Sequence, residues 1–260
     1  MPKKFTTTYI NASFSRLPEA FNNYTIALVA DLHNANFGGA LEAQIALEKP
    51  DIIAIAGDFV SFHNHTQNGI NFVKSAAQIA PVLYVNGNHE CRFNEKNYSN
   101  FKQDIINAGA VALENDIYNI TRKGATISVI GTNDQKSFLR EKGSSKVFKF
   151  KNTLQQLSNS LPCDQFKILL THRPQWYKFY ASCNIDLSLA CHAHGGQIRI
   201  PKLGALFADG LGFFSKYAQG HHIIGEQHHL IVSRGLGHTY RTPPRIFNKR
   251  ELMIIKLKTF

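Results

Sequence analysis

Eight side chains in this 260-residue chain have donor types that bind divalent cations, and each follows an apolar run. Asp31 and His33 come after Thr25–Ala30, and Asp58 comes after Ile52–Ala56 and a glycine. Asn88 and His89 follow Pro81–Val85, within Gly87-Asn88-His89-Glu90. His172 follows Phe166–Leu170, while His192 and His194 follow Ile185–Ala190. The donors are carboxylate and amide oxygens and imidazole nitrogens, with no thiolate required. Such a set suits Mn²⁺, Fe²⁺ or Zn²⁺, whereas Ca²⁺ takes more oxygens. Eight donors exceed the needs of one ion and match two ions sharing a bridging carboxylate, about 3.5–4 Å apart as in two-metal hydrolases.

A single Asp or His after a strand is ordinarily a cap or turn residue. Five apolar runs ending this way are not explained by capping. Side chains two apart in an extended segment point the same way, so Asp31 and His33 can converge on one point. The runs are apolar almost throughout, the pattern of strands buried on both faces. Helices are expected over Gly39–Lys49, stopped by Pro50, and over Asn68–Ala80 and Asn94–Ala108. Strands alternating with helices build a parallel sheet whose carboxyl ends share one side, where open α/β sheets place their ligand sites. A hairpin follows, Asp116–Ile120 with Ala125–Ile130 around Arg122-Lys123-Gly124. Gln135–Lys151 reads as a surface excursion, with a short helix near Thr153–Ser158 and late strands at His229–Val232 and Glu251–Leu257. Residues 1–24 read as an N-terminal arm or edge strand. The chain shows no internal repeat or low-complexity linker, so a single domain over 1–260 is expected.

Composition bounds the class. An apolar fraction of 43% with 19 Phe supports a substantial core. No run of eighteen apolar residues is present, and Met1–Tyr9 has basic residues without the apolar stretch of a signal peptide. Four cysteines with no C-x-x-C pair fit a reducing compartment, so cytoplasmic residence is expected. A net charge of +11 favours anionic partners: phosphates, nucleic acid or an acidic membrane surface. No motif that reads nucleic-acid sequence is present.

Taken in order, Asp31-Leu32-His33, Gly57-Asp58, Gly87-Asn88-His89-Glu90, Thr171-His172 and Cys191-His192-Ala193-His194 resemble the five motif blocks of the calcineurin-like metallophosphoesterases. The likeness spans residues 26 to 260. It is greatest to a bacterial subfamily containing the YkuE and YaeI proteins and the UDP-diacylglucosamine pyrophosphatases. That likeness rests on His194–Pro201, Tyr217–Gly220 and Val232–Gly237. The resemblance implies a four-layer α/β/β/α sandwich of two packed mixed β-sheets and a dinuclear centre. Asp31, His33, Asp58 and His194 would hold one ion. Asp58 as the bridge, with Asn88, His172 and His192, would hold the other. Mn²⁺ is the expected ion, with Fe²⁺, Zn²⁺ and Mg²⁺ as alternatives. His89 matches the family's non-ligand histidine, which hydrogen-bonds phosphate and protonates the leaving group. Two departures stand out: Cys191 where the last block usually has Gly, and Ala30 where the subfamily often has Ser. Neither removes a ligand.

The expected function is metal-dependent hydrolysis of a phosphodiester or pyrophosphate bond by a metal-activated water, with His89 as general acid. A lipid-linked or nucleotide-like substrate is suggested by the subfamily and the charge. The alternatives are a nuclease or cyclic-nucleotide phosphodiesterase using the same site, or a scaffold protein of weak activity. Arg92, close behind His89, is the expected substrate contact for a phosphate oxygen. His63 and His65 read as loop residues, and His221, His222, His228 and His229 as alternation around a late strand. Trp176, Phe179 and Tyr180 read as a helical core stripe. The apolar stretches Leu203–Phe207 and Leu211–Phe214 read as core, with contact at the inner face of an anionic membrane as the alternative.

Overall fold

A computed structural model describes residues 4–62, 65–138, 145–238 and 244–260. Its strands are β1 (Thr6–Phe14), β2 (Thr25–Val29), β3 (Ile52–Ala56), β4 (Val82–Val85), β5 (Ala110–Ala112), β6 (Asp116–Arg122), β7 (Ala125–Gly131), β8 (Lys167–Leu170) and β9 (Leu187–Ala190), then the short β10 (Arg199–Ile200), β11 (Gly204–Ala205), β12 (Phe207–Ala208) and β13 (Gly212–Phe213), and finally β14 (Gly220–Ile224), β15 (His228–Val232) and β16 (Glu251–Thr259). The helices are α1 (Ala40–Glu48), α2 (Gln67–Ala76), α3 (Glu95–Asn107), α4 (Ser145–Asn159) and α5 (Tyr177–Ser182).

Two six-stranded sheets form, in the orders β1-β16-β2-β3-β4-β5 and β14-β15-β9-β8-β7-β6. Both are mixed. Strands β2 to β5 run parallel, as do β7, β8, β9 and β15, while β16 and β2, β6 and β7, and β14 and β15 pair antiparallel. The sheets pack on one another because alternate strand positions are apolar on the inner face. Ile26, Leu28, Ala54, Leu83 and Met253 of the first meet Val129, Ile168, Leu170, Leu189 and Ile231 of the second. The intervening positions are apolar too, because helices cover the outer faces. Val29, Ile53, Ile55 and Tyr84 lie under Leu41 and Ile45 of α1, Phe72 and Val73 of α2, and Phe101 and Ile105 of α3. On the other side Ile130 and Leu169 lie under Phe150 and Leu154 of α4 and Tyr180 of α5. Burying a side chain of this kind contributes about 1.5–3 kcal/mol, which makes the double-sided strands a rigid base for their own carboxyl ends.

The four layers are those the resemblance implied. The N-terminal segment forms edge strand β1, which runs parallel to β16 over Thr6 to Phe14. Helix α3 begins at Asn94, whose side chain accepts from the backbone N–H of Asn97 as an N-cap. Two expectations need correction, and two strands were not expected. Helix α4 spans fifteen residues rather than a short piece near Thr153, because Phe150 and Leu154 fall on its buried side. Strands β5 and β14 had no alternating signal strong enough to mark them. The stretch Leu203–Phe214 is not core: Ala205 and Ala208 are buried, but Leu203, Phe207, Phe213 and Phe214 are exposed. The expected excursion over Gln135–Lys151 falls partly outside the described residues, and its second part belongs to α4.

Candidate metal centre

The strands deliver the eight donors to one place. Asp31 and His33 follow β2, Asp58 follows β3, Asn88 and His89 follow β4, His172 follows β8, and His192 and His194 follow β9. Because the two sheets face each other, the ends of β2–β4 and of β8–β9 converge at one rim. All eight residues are buried.

Asp58 lies at the middle. Its Oδ2 is 3.4 Å from His172 Nε2 and 3.9 Å from both His33 Nε2 and His89 Nε2. Two overlapping sets have the spacing to hold a metal ion, their ligand atoms lying within 4.8 Å of one another: Asp31, His33, Asp58 and His194, and Asp58, His172 and His192. Asn88 Oδ1 joins the second set, 3.2 Å from His172 Nε2. In the first, His33 Nε2 and His194 Nε2 stand 3.2 Å apart. The backbone is bent to make this possible. Asp31, His33, Asp58, His192 and His194 all have positive φ, between 45° and 63°. Such conformations cost roughly 1–3 kcal/mol each and persist where the surroundings enforce them.

Those surroundings are identifiable. The Glu90 carboxylate accepts from the backbone N–H groups of Gly87, Asp58 and Val60, at 2.8, 3.1 and 2.9 Å, tying the β3 and β4 ends together. Asp58 Oδ1 in turn accepts from the N–H of His89 at 2.8 Å. Gly87 is required there, since a Cβ would run into the backbone nitrogen and carboxylate of Asp58. Gly235 plays the same part for Asp31: its φ is +72°, and a Cβ would come within 2.6 Å of the Asp31 Cβ.

Burial raises the Asp31 carboxyl to about 7, against the opposing pull of His172. Burial would also raise Asp58, but His172, His33 and His89 outweigh it and hold that carboxylate well below its usual range. His172 is correspondingly held protonated by Asp58 despite its burial. Burial lowers His33 to about 3 and His192 to about 4, so both are neutral near pH 7. The Cys191 thiol, raised to about 12 by burial and by Asp31, donates to the Ala56 carbonyl at 2.9 Å and lies 3.3 Å from His172 Nδ1. It is a protonated neighbour holding the ring of His172, although its sulfur also forms a three-residue group with Asp31 and His172.

Three further residues have a place that sequence reasoning missed. Arg173, buried, is anchored by Nε to Asp134 at 2.6 Å and reaches to within 3.0 Å of His192 Nε2 and 3.3 Å of Asn88 Oδ1. Its position directly after His172 was the available signal, as was the polar end of β7 at Thr132-Asn133-Asp134. Arg245 Nη2 donates to the carbonyls of Arg234 and Gly237 and lies 3.2 Å from His194 Nδ1. Asp209, on the turn between β12 and β13, has Oδ2 2.8 Å from His192 Nε2. No pattern in the sequence links it to a histidine seventeen positions away. Arg92 lines a cavity of about 430 Å³ with Asp58, Asn88, His89, His192, His194 and Asp209, and Ile198, Leu206 and Phe207 form its apolar wall. His65 is exposed, and His63 lies outside the described residues.

A profile of the family described as calcineurin-like phosphoesterase matches residues 24–196. The chain belongs to that family. It is a metallophosphoesterase, of a family that depends on two metal ions. It is 26% identical to the uncharacterized metallophosphoesterase YkuE of Bacillus subtilis, over 99% of this chain and 87% of that one. It is 27% identical to the phosphodiesterase YaeI of Escherichia coli, over 84% of this chain and 76% of that one. Among solved structures, the sulfate thiohydrolase SoxB of Thermus thermophilus superposes with a TM-score of 0.51 at 12% identity, covering 83% of this chain and 52% of SoxB, a likeness of fold alone.

The donors of this metallophosphoesterase fit the two ions its family uses. They are oxygens and imidazoles, of which His172 must give up its proton to bind, and one carboxylate lies in both sets. Asp31 Oδ1 is buried with no hydrogen-bond partner among the described residues, as a ligand atom awaiting a cation would be. No helix among the described residues is long and apolar enough to cross a membrane.

Proposed function

We propose that this metallophosphoesterase hydrolyses a phosphodiester or pyrophosphate bond. In this reading Asp31, His33, Asp58 and His194 hold one divalent cation, and Asp58, Asn88, His172 and His192 hold the second. The position of Asp58 carries the reading, because a single carboxylate within reach of both ligand sets is what a dinuclear centre needs as its bridge. When bound, the two cations neutralise phosphoryl charge and acidify a water to a nucleophile.

The chain's own residues supply the rest. His89 borders the cavity beside Asp58, placed to hold a proton at Nε2 for the leaving oxygen. Burial lowers its affinity for that proton and Asp58 opposes the loss. Arg92, exposed and lining the cavity, offers a cation for a non-bridging phosphate oxygen. In this reading Asp209 accepts a hydrogen bond from His192 Nε2–H, which leaves Nδ1, on the side of His172 Nε2, as the ligand atom; carboxylates commonly fix metal-binding histidines in this way. The wall of Ile198, Leu206 and Phe207 suits an ester with an apolar or aromatic substituent next to the phosphate. That favours diesters over simple monoesters, in keeping with the name of the YaeI relative. Mn²⁺ suits the donor set, with Fe²⁺, Zn²⁺ and Mg²⁺ as alternatives.

The test is hydrolysis of bis-p-nitrophenyl phosphate against the p-nitrophenyl monoester, with Mn²⁺ and with chelator, for wild type and Asn88→Ala. Metal-dependent diester cleavage that disappears in Asn88→Ala is the expected result. Full activity in that variant would overturn the site, and preference for the monoester would overturn the substrate class.

A further inference from the structure

The segment that closes the cavity on one side has two faces of opposite character. Four stretches lie side by side, joined through the backbone: Arg199 donates to Ile246, Ile246 to Gln197, Leu206 to Ile198, and Phe214 to Leu206. On the inward side this platform presents Asp209 to His192 and Leu206 to the cavity. It also carries large apolar groups in solvent. Phe247 is 74% exposed, Phe213 71%, Leu203 65%, Phe214 52%, Phe207 49% and Ile246 42%. Phe207 and Phe213 contact edge to face across the β12–β13 pair, with ring centres 5.1 Å apart. The same platform, residues 198–216 and 244–250, carries Arg199, Lys202, Lys216, Arg245, Lys249 and Arg250 against the single acid Asp209. Lys202, Lys216 and Lys249 are exposed.

We infer that this platform is a docking surface for an anionic lipid bilayer, on which the mouth of the catalytic cavity comes to rest. Exposed aromatic rings on adjoining stretches are costly in water and are found where a surface meets another phase or a partner. Aromatic side chains insert at the headgroup–acyl boundary, and lysines snorkel around them to lipid phosphates. The three exposed lysines, with Asp209 turned to His192 as the only acid of the platform and a chain net charge of +11, match an anionic surface and repel a second copy of the same chain. Phe207 belongs to both the patch and the cavity wall. A docked molecule would therefore have its reaction site at the membrane plane. The inference concerns binding and stands whether or not the diester reading of the substrate holds.

Flotation with lipid vesicles tests it. The purified full chain is mixed with vesicles of phosphatidylcholine and phosphatidylglycerol, and separately with phosphatidylcholine alone. Flotation with the anionic vesicles only, falling as salt rises, is the expected result. Lys202→Gln with Lys249→Gln should weaken partitioning about fivefold per charge removed. Phe213→Ser with Phe247→Ser should weaken it by at least about tenfold. Both double variants should keep the wild-type circular dichroism and turn over a soluble p-nitrophenyl diester at the wild-type rate, which separates lost docking from lost folding. No flotation with either vesicle overturns the inference, as does equal flotation with both. Sedimentation without lipid covers the rival occupant: a wild-type dimer that the Phe213→Ser, Phe247→Ser variant dissociates would assign the patch to a second copy instead.

Discussion

The chain gathers histidines in two places, and only one has the makings of a metal centre. At the carboxyl ends of the parallel strands, His33, His89, His172, His192 and His194 surround Asp58, with Asp31 and Asn88 among them. On the edge strand β14 and its neighbour β15 stand His221, His222, His228 and His229. There His221 Nε2 and His229 Nδ1 are 2.9 Å apart, His228 and His222 donate to the carbonyls of Ile185 and Gln219, and Phe14 lies against the ring of His229 at 4.2 Å. Among the described residues, none of these four belongs to a group of three metal-capable side chains with ligand atoms within 4.8 Å. Burial lowers the proton affinity of His221, His228 and His229, much as it does for His33 and His194. Depressed basicity therefore does not distinguish the clusters. Carboxylates do: the first cluster has a buried anion that rings on both sides can share with a cation, whereas in the second His221 and His229 face each other and His222 and His228 bond backbone carbonyls.

The largest break in this contrast should come from Asp58→Ala. Loss of both ions, and of diester turnover by about 10⁴-fold or more, is expected by metal analysis and steady-state kinetics, since the variant removes the group common to both ligand sets. Next comes His89→Ala, which should retain the metal content and lose roughly 10²–10⁴-fold in turnover. A variant that lost metal as well would make His89 a ligand. Asp209→Asn should lower affinity for one ion by about 10–100-fold while leaving the other in place, as removing the carboxylate behind a ligating histidine does elsewhere. Stoichiometric titration with Mn²⁺ reads the two sites separately, and Asp209→Glu should recover part of the loss.

Metal binding should also depend on pH, with a sign set by two groups. The Asp31 carboxyl, raised to about 7 in the metal-free protein, is protonated below that pH and must lose its proton to accept a cation. His172, held protonated by Asp58, must do so as well. Affinity should therefore fall as pH drops below about 7, each displaced proton contributing up to about tenfold per pH unit. A shallower slope, from His172, should remain above pH 7. His33 and His192 are already neutral there and add nothing until pH approaches 4. Calorimetry in buffers of different protonation enthalpy counts the released protons directly. The smallest effect belongs to the second cluster: His221→Ala or His229→Ala should change metal content and turnover by no more than about twofold.

Much of the architecture could be read from alternation and punctuation. Strands β2, β3, β4, β8 and β9 are apolar on both faces, bounded by Gly, Pro or polar turns, and each ends in its donor. Helix ends at Pro50 and Asn94 follow from backbone sterics and capping. Local pattern fails where structure depends on partners. The three residues of β5 are strand only because β4 lies beside them. The length of α4 depends on Phe150 and Leu154 finding Ile130 and Leu169. Leu203–Phe214 looks like core by composition, and its exposure is a matter of which groups the platform turns inward.

The donor types, their order along the chain and their attachment to strand ends are legible in the residues alone, because side-chain chemistry and two-residue alternation are local properties. The sequence also contained Gly87 and Glu90 beside Asn88 and His89, though not what they do. That Asp58 stands between the two sets follows from the fold, because it depends on the ends of β2–β4 meeting the ends of β8–β9 across the sandwich. The fold alone showed Glu90 bracing three backbone amides and Arg173 reaching from Asp134 to Asn88. It also brought Asp209 to His192, a contact made by two loops folding over one rim. Contacts of this kind are set by packing between distant segments, and no spacing along the chain encodes them.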